Sequence, residues 1–330
     1  MREYREYHEQ SSSSNRTLWI VLGIVGGIVV VGLLVCGGLG FLFLRAVKTG
    51  MAQVQVAMQQ AMTELDLQDE DYAKARTHFK TKLIRQGAAP QPWAPVEPPA
   101  GVKSMEYRSG TLRLKAWINP PAGPGQRKLP AVLFLHGGWA FGEDDWDMTK
   151  PYRDAGYVVM TPMLRGENGQ SGSFTMFYDE VDDVLAAADA LARLPYVDDK
   201  HIYVSGHSTG GTLTLLTAMA SPRFKAAAAF SASPNQKSFA LQDPLNVPFD
   251  QGRALEYEMR SPMAYATSFK CPVRMYYGDD EELVNDPTDT TVVRAKTKGL
   301  DVDAIAVPGD HTTSVPEAMR QAIQFFQEKQ

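Results

Sequence analysis

Ile202-Tyr203-Val204-Ser205-Gly206-His207-Ser208-Thr209-Gly210-Gly211 is the stretch that decides how this chain folds. Its first residues read as a buried strand. A glycine, a serine and two further glycines then lead into a helical run over 212–220. A serine between small residues at a strand-to-helix corner has the pattern of a nucleophile elbow, a turn so sharp that glycine is favoured on both sides. The turn pushes the Ser208 hydroxyl out of the backbone and within reach of a base. It also leaves the Thr209 amide at a helix N-terminus, free to donate to an oxygen that becomes negative. An ordinary corner with a capping serine is the plainer alternative, and the strand and helix on either side favour the elbow.

Such a serine needs a histidine and an acid. Residues 273–277 form a strand-like run entered through Pro272, ending at Gly278 and opening into Asp279-Asp280-Glu281-Glu282. A second run over 302–307 ends in Pro308-Gly309-Asp310-His311, and a helical segment follows from about residue 314. Acid and histidine thus sit at C-terminal ends of strands, where open α/β sheets place their sites. His8 precedes an apolar span, His78 lies in a polar helical stretch, His136 ends an upstream strand, and His201 is in a turn. His207 is the variable position of the elbow, with its side chain expected to point away from Ser208. His311 remains as the base. Four adjacent carboxylates repel one another, so most are solvated and one is expected to hold the imidazole Nδ1. A second oxyanion donor is expected after the buried run 131–135, in His136-Gly137-Gly138-Trp139, as the amide of Gly138 or of Trp139. Trp139 and Phe141 are candidates for the pocket wall.

Strand-like runs at 112–118, 131–136, 157–162, 202–207, 226–230, 273–277 and 302–307 alternate with helical ones, notably 178–194 and 288–298. That alternation predicts a mostly parallel α/β sheet with helices on both faces. The longest insert, 231–271, reads as a small cap over the site or a surface loop. The net charge of −5 supplies no basic field for nucleic acid. Cys36 and Cys271 are too differently placed to pair, no metal-ligand spacing occurs, and the chemistry calls for no cofactor.

The front of the chain is organised differently. Residues 1–17 form a polar tail. Residues 18–44 carry no charge over 27 positions, and about 20 apolar residues cross a bilayer core. They are expected to form an uncleaved, single-pass transmembrane helix. Arg2, Arg5 and Arg16 before the span, against Arg45 and Lys48 after it, lean towards a catalytic domain on the extracytoplasmic side. Gly23 and Gly27 offer a small-residue face through which two anchors would form a homodimer. A helical stalk is expected over 45–86, a semi-rigid Pro-rich linker over 87–101, and the catalytic domain over 102–330.

From residue 131 onwards the sequence resembles the catalytic domain of the prolyl oligopeptidase family, of dipeptidyl aminopeptidase and acylaminoacyl-peptidase type, within the α/β-hydrolase superfamily. The resemblance covers about 200 of the 330 residues. It is carried by His136-Gly137-Gly138, Leu164-Arg165-Gly166, Asp182-Asp183 with Val197-Asp198, the elbow, and the acid and histidine loops. It implies an α/β-hydrolase fold and a serine hydrolase cleaving an ester or peptide bond through an acyl-enzyme on Ser208. A carboxylesterase of the same fold and a non-catalytic binding module are the alternatives. Relatives place an Asp three residues after the strand-end glycine and three before a valine. Here that register falls on Glu281, before Val284, so Glu281 is favoured as the acid and Asp280 is the alternative if the loop shifts. Residues 45–130 cannot hold the β-propeller of many peptidase members, so the resemblance speaks for hydrolase chemistry more than for peptidase specificity.

Overall fold

Residues 64–121 and 128–330 are described in a computed structural model, with the side chains of 282–285 set aside. Among them, the apolar runs become one sheet: β1 (Lys103–Ser109), β2 (Leu112–Ile118), β3 (Leu129–Leu135), β4 (Val158–Pro162), β5 (Val197–His207), β6 (Ala227–Phe230), β7 (Val273–Gly278) and β8 (Val302–Val307). Their order is β1-β2-β4-β3-β5-β6-β7-β8. The β1–β2 and β2–β4 pairs are antiparallel, and the other pairs are parallel. Strand β3 lies between β4 and β5, so the winding direction changes there. A crevice opens outside the strand ends at such a switch point.

The helices are α1 (Tyr72–His78), α2 (Glu143–Met148), α3 (Lys150–Asp154), α4 (Glu180–Ala192), α5 (Thr209–Ala220), α6 (Gln236–Ala240), α7 (Ala254–Glu258), α8 (Glu282–Thr297) and α9 (Val315–Glu328). Side chains alternate across a strand. Ala131, Leu133 and Leu135 therefore join the core under α4 and α5, while Val132 and Phe134 join the core under α9. Helix α9 supplies Ala318, Met319, Ala322, Phe325 and Phe326, an apolar stripe at helical spacing. Burial of each of its larger side chains contributes about 1.5–3 kcal/mol. Strand β6 is nearly all alanine and wholly buried. A Cβ on Gly211 would lie 2.8 Å from the Phe230 carbonyl oxygen, so α5 packs on β6 as closely as backbone allows.

Strand β1 lies outside the sequence-predicted set because its residues are mostly polar. It is an edge strand, with only Tyr107 and Ser109 buried.

The front segment departs from the expected stalk and linker. In the described part of the stalk, only α1 is helical, and tertiary partners tie both it and the residues around it to the domain. The Tyr72 hydroxyl donates to the Met259 carbonyl at 3.0 Å, and Arg76 donates to the Tyr178 carbonyl at 2.8 Å. Glu256 accepts from the Thr81 hydroxyl at 2.7 Å and from the Lys82 amide at 2.6 Å. The fully buried Arg260 closes this network on Glu256, Thr81 and the Thr175 carbonyl. The Pro-rich residues are not a free spacer either. The Ala89 amide donates to Gly166 O at 2.9 Å, and the Phe174 amide donates to Gly87 O at 2.9 Å. Among the described residues, no helix is long and apolar enough to cross a membrane. The expected span over 18–44, and dimerisation through it, lie outside the described residues.

Candidate active site

Ser208 sits between β5 and α5 at φ +57°, ψ −117°. This left-handed geometry costs a non-glycine residue about 1–3 kcal/mol. The Ser208 amide donates to Phe230 O at 2.8 Å, and Thr212 N donates to Ser208 O at 3.0 Å. A Cβ on Gly206 would overlap the Gly210 carbonyl, and one on Gly210 would overlap the carbonyl oxygen of Leu135. Gly210→Ala is expected to destabilise the protein by about 3 kcal/mol or more, because backbone cannot retreat as a flexible side chain can. An unchanged calorimetric melting temperature would refute this packing.

The loops after β7 and β8 bring the other predicted residues to the serine. His311 Nε2 lies 3.0 Å from Ser208 Oγ. His311 Nδ1 lies 2.6 Å from Glu281 Oε1. The second Glu281 oxygen accepts from Ser231 Oγ at 2.6 Å and from the Gly278 amide at 2.7 Å. Partial burial disfavours the Glu281 charge, but these three donors hold its carboxyl below the usual carboxylate range. The side chain of Asp280 makes no hydrogen bond or ion pair among the described residues and lines the cleft instead. Asp310 is a turn residue, accepting from Thr312 N and Thr313 N at 3.0 and 2.9 Å.

His207 has its ring centroid 4.8 Å from that of His311. Its Nε2 donates to the His311 carbonyl at 2.8 Å. Burial keeps the His207 ring below the ordinary histidine value, so a neutral imidazole supports the His311 loop. Neither this contact nor the hydroxyl of Ser231 under Glu281 is signalled by sequence, since both join residues from separate loops.

At the end of β3, the Gly138 carbonyl accepts from Thr209 Oγ1 at 2.7 Å. Of the two candidate amides, that of Trp139 is taken by Gln91 Oε1 at 2.7 Å. The amides of Gly138 and Thr209 make no hydrogen bond among the described residues. The Trp139 ring packs against Phe174, Phe177 and Phe239, and Phe141 packs on Trp117 in the core. His136 forms a buried pair with Glu167 at 3.0 Å. Burial opposes the charged ring, but the Glu167 carboxylate outweighs it and raises His136 to about 9. Arg165 is bound by both oxygens of the buried Asp183, at 2.8 and 2.7 Å. The Arg-Gly and Asp-Asp motifs are therefore structural, tying the loop after β4 to α4.

Ser208, His311 and Asp280 face a cleft of about 470 Å³. Its walls include Thr212, Ser233, Ser238, Gln242 and Phe239, drawn partly from α6. The insert after β6 thus covers one side of the site. No Lys or Arg lines the cleft among the described residues.

The sequence profile of the prolyl oligopeptidase family matches residues 145–328, more than half of the chain. The uncharacterized peptidase YuxL of Bacillus subtilis is 26% identical over 233 residues, which cover 64% of this chain and 35% of its own. The chain therefore spans about a third of that relative. A puromycin-hydrolyzing peptidase of Mycobacterium tuberculosis shares the fold, with TM-score 0.60 and 22% identity over 70% of this chain and 40% of its own. An esterase of Pyrobaculum calidifontis also shares it, with TM-score 0.56 and 19% identity over 71% of this chain and 86% of its own. The profile match spans β4 to α9 and includes the elbow and both loops that meet it: the chain belongs to the prolyl oligopeptidase family.

Proposed function

We propose that this protein is a serine hydrolase that transfers the acyl group of a peptide or ester to water. The carrying observation is the unbroken hydrogen-bonded run Glu281–His311–Ser208 at the mouth of a cleft. In this reading His311 Nε2 takes the Ser208 proton as Oγ attacks the carbonyl carbon. Glu281 keeps the other ring proton on Nδ1 and stabilises the imidazolium that forms. The amides of Thr209 and Gly138 receive the oxyanion. His311 then hands its proton to the leaving amine or alcohol. A water molecule, deprotonated by the same ring, releases the acyl group and restores Ser208.

Family membership favours a peptide substrate, and the esterase of the same fold keeps the ester reading open. The cleft carries hydroxyls, amides and the Asp280 carboxylate, with no cation beside them among the described residues. It suits neutral or amine-bearing groups and gives a carboxylate no counter-ion. Purified full-length protein, profiled against p-nitrophenyl acetate, aminoacyl anilides and succinylated anilides, is expected to prefer the uncharged or amine-bearing members. Preference for the succinylated series would overturn the specificity reading. No turnover of any ester or amide, without labelling by a fluorophosphonate, would overturn the hydrolase reading itself.

A further inference from the structure

We infer that Gln91, from the Pro-rich segment ahead of the domain, is a positioning residue that holds the oxyanion turn in its working shape. The inference rests on the hydrolase reading above. The turn from His136 to Phe141 is clamped at both ends by the loop after β4. His136 Nε2 is 3.0 Å from Glu167 Oε2. Phe141 N donates to Asn168 Oδ1 at 2.7 Å, and Asn168 Nδ2 donates to Phe141 O at 2.8 Å. Between these clamps the chain passes through Gly138 at φ +67°. Here the 138–139 peptide is held on both sides: its carbonyl by Thr209 Oγ1 and its N–H by Gln91 Oε1, each at 2.7 Å. A Cβ on Gly138 would lie 2.5 Å from that glutamine oxygen, so the turn is moulded around it. With Trp139 N engaged, Gly138 N is left as the donor to face a substrate oxygen together with Thr209 N.

The glutamine side chain is exposed, but the backbone around it is held. It stands between Pro90 and Pro92. Pro90 has its own φ fixed, and a residue preceding proline is confined to extended backbone. Gly87 and Ala89 are bonded to the 166–174 loop, and the Trp93 ring lies 3.1 Å from where a Cβ on Gly169 would be. Gln91 is not among the residues that line the cleft at Ser208.

The test uses the full chain with Gln91→Met, which keeps the side-chain length and removes the acceptor, and Gln91→Glu, which keeps an acceptor oxygen. For Gln91→Met, kcat on p-nitrophenyl acetate is expected to fall about 10–100-fold, since a misplacement near 1 Å costs up to about 100-fold. KM should change by less than about twofold, because the brace acts on the transition state and not on ground-state binding. The dissociation constant of phenylboronic acid, which mimics the tetrahedral adduct, should rise by a similar factor. Gln91→Glu should retain more activity than Gln91→Met. An unchanged or raised kcat in Gln91→Met, or equal losses in both variants, would overturn the inference. A wild type that neither labels nor turns over would instead sink the hydrolase reading.

Discussion

Alanine at position 208 is expected to lower kcat on p-nitrophenyl acetate by about 10⁶-fold, the loss typical of deleting a serine nucleophile, and to abolish fluorophosphonate labelling. The Ser208 hydroxyl is the group in the run Glu281–His311–Ser208 that the base activates towards the carbonyl, so its removal takes away the nucleophile of the proposed mechanism. The amides of Thr209 and Gly138 survive the substitution. A residue of about 10³–10⁴-fold over water can therefore persist from oxyanion binding alone. The variant should fold at least as well as the parent, because alanine keeps the small volume the turn demands. Retained labelling would place the nucleophile elsewhere and end the proposed mechanism.

Glu281→Gln is the second large effect, and Asp280→Asn is its control. One oxygen of residue 281 is fixed by donors from Ser231 and the Gly278 amide. A glutamine must keep its carbonyl oxygen there and turn its NH2 towards His311. The ring then has to accept at Nδ1 and carry its proton on Nε2, facing Ser208 with a hydrogen where a lone pair is needed. Forcing the wrong tautomer costs about 10⁴-fold in kcat in serine hydrolases. Asp280→Asn, in contrast, alters a side chain without a partner among the described residues and should change kcat by less than about threefold, with any effect falling on amine-bearing substrates. The opposite ranking in steady-state kinetics would assign the acid to Asp280.

Much of this site is legible in sequence because its parts are local signals. The elbow is one decapeptide, and each of the other two loops follows an apolar run whose end is marked by glycine. The register from Gly278 points to Glu281, and the structure puts that carboxylate, not Asp280, against His311. What was not legible is long-range. Residues 45–86 read as a helix from their composition, and Tyr72–His78 is one, yet Thr81 and Lys82 beyond it spend their hydrogen bonds on Glu256, some 175 positions away. Buried partners outweigh propensities that are worth only tenths of a kcal/mol per residue. Ser231, His207 and Gln91 are ordinary residues whose importance comes from what another loop places beside them. Strand β1 gives no such signal because an edge strand facing water carries little apolar pattern.

The buried Arg260–Glu256–Thr81 seam has a consequence for how the protein is made. Thr81 leaves the ribosome long before Arg260, 179 positions later, and Gln68 waits for Arg294 across 226. Until those partners emerge, this seam cannot close, although Arg76 can already meet Tyr178. Contacts so far apart in the chain form late, after the entropy of closing the intervening loop has been met. The seam through Gln68 and Thr81 is thus among the later pieces to settle, after the contacts of Gln91 with Trp139, only 48 positions away, have become possible.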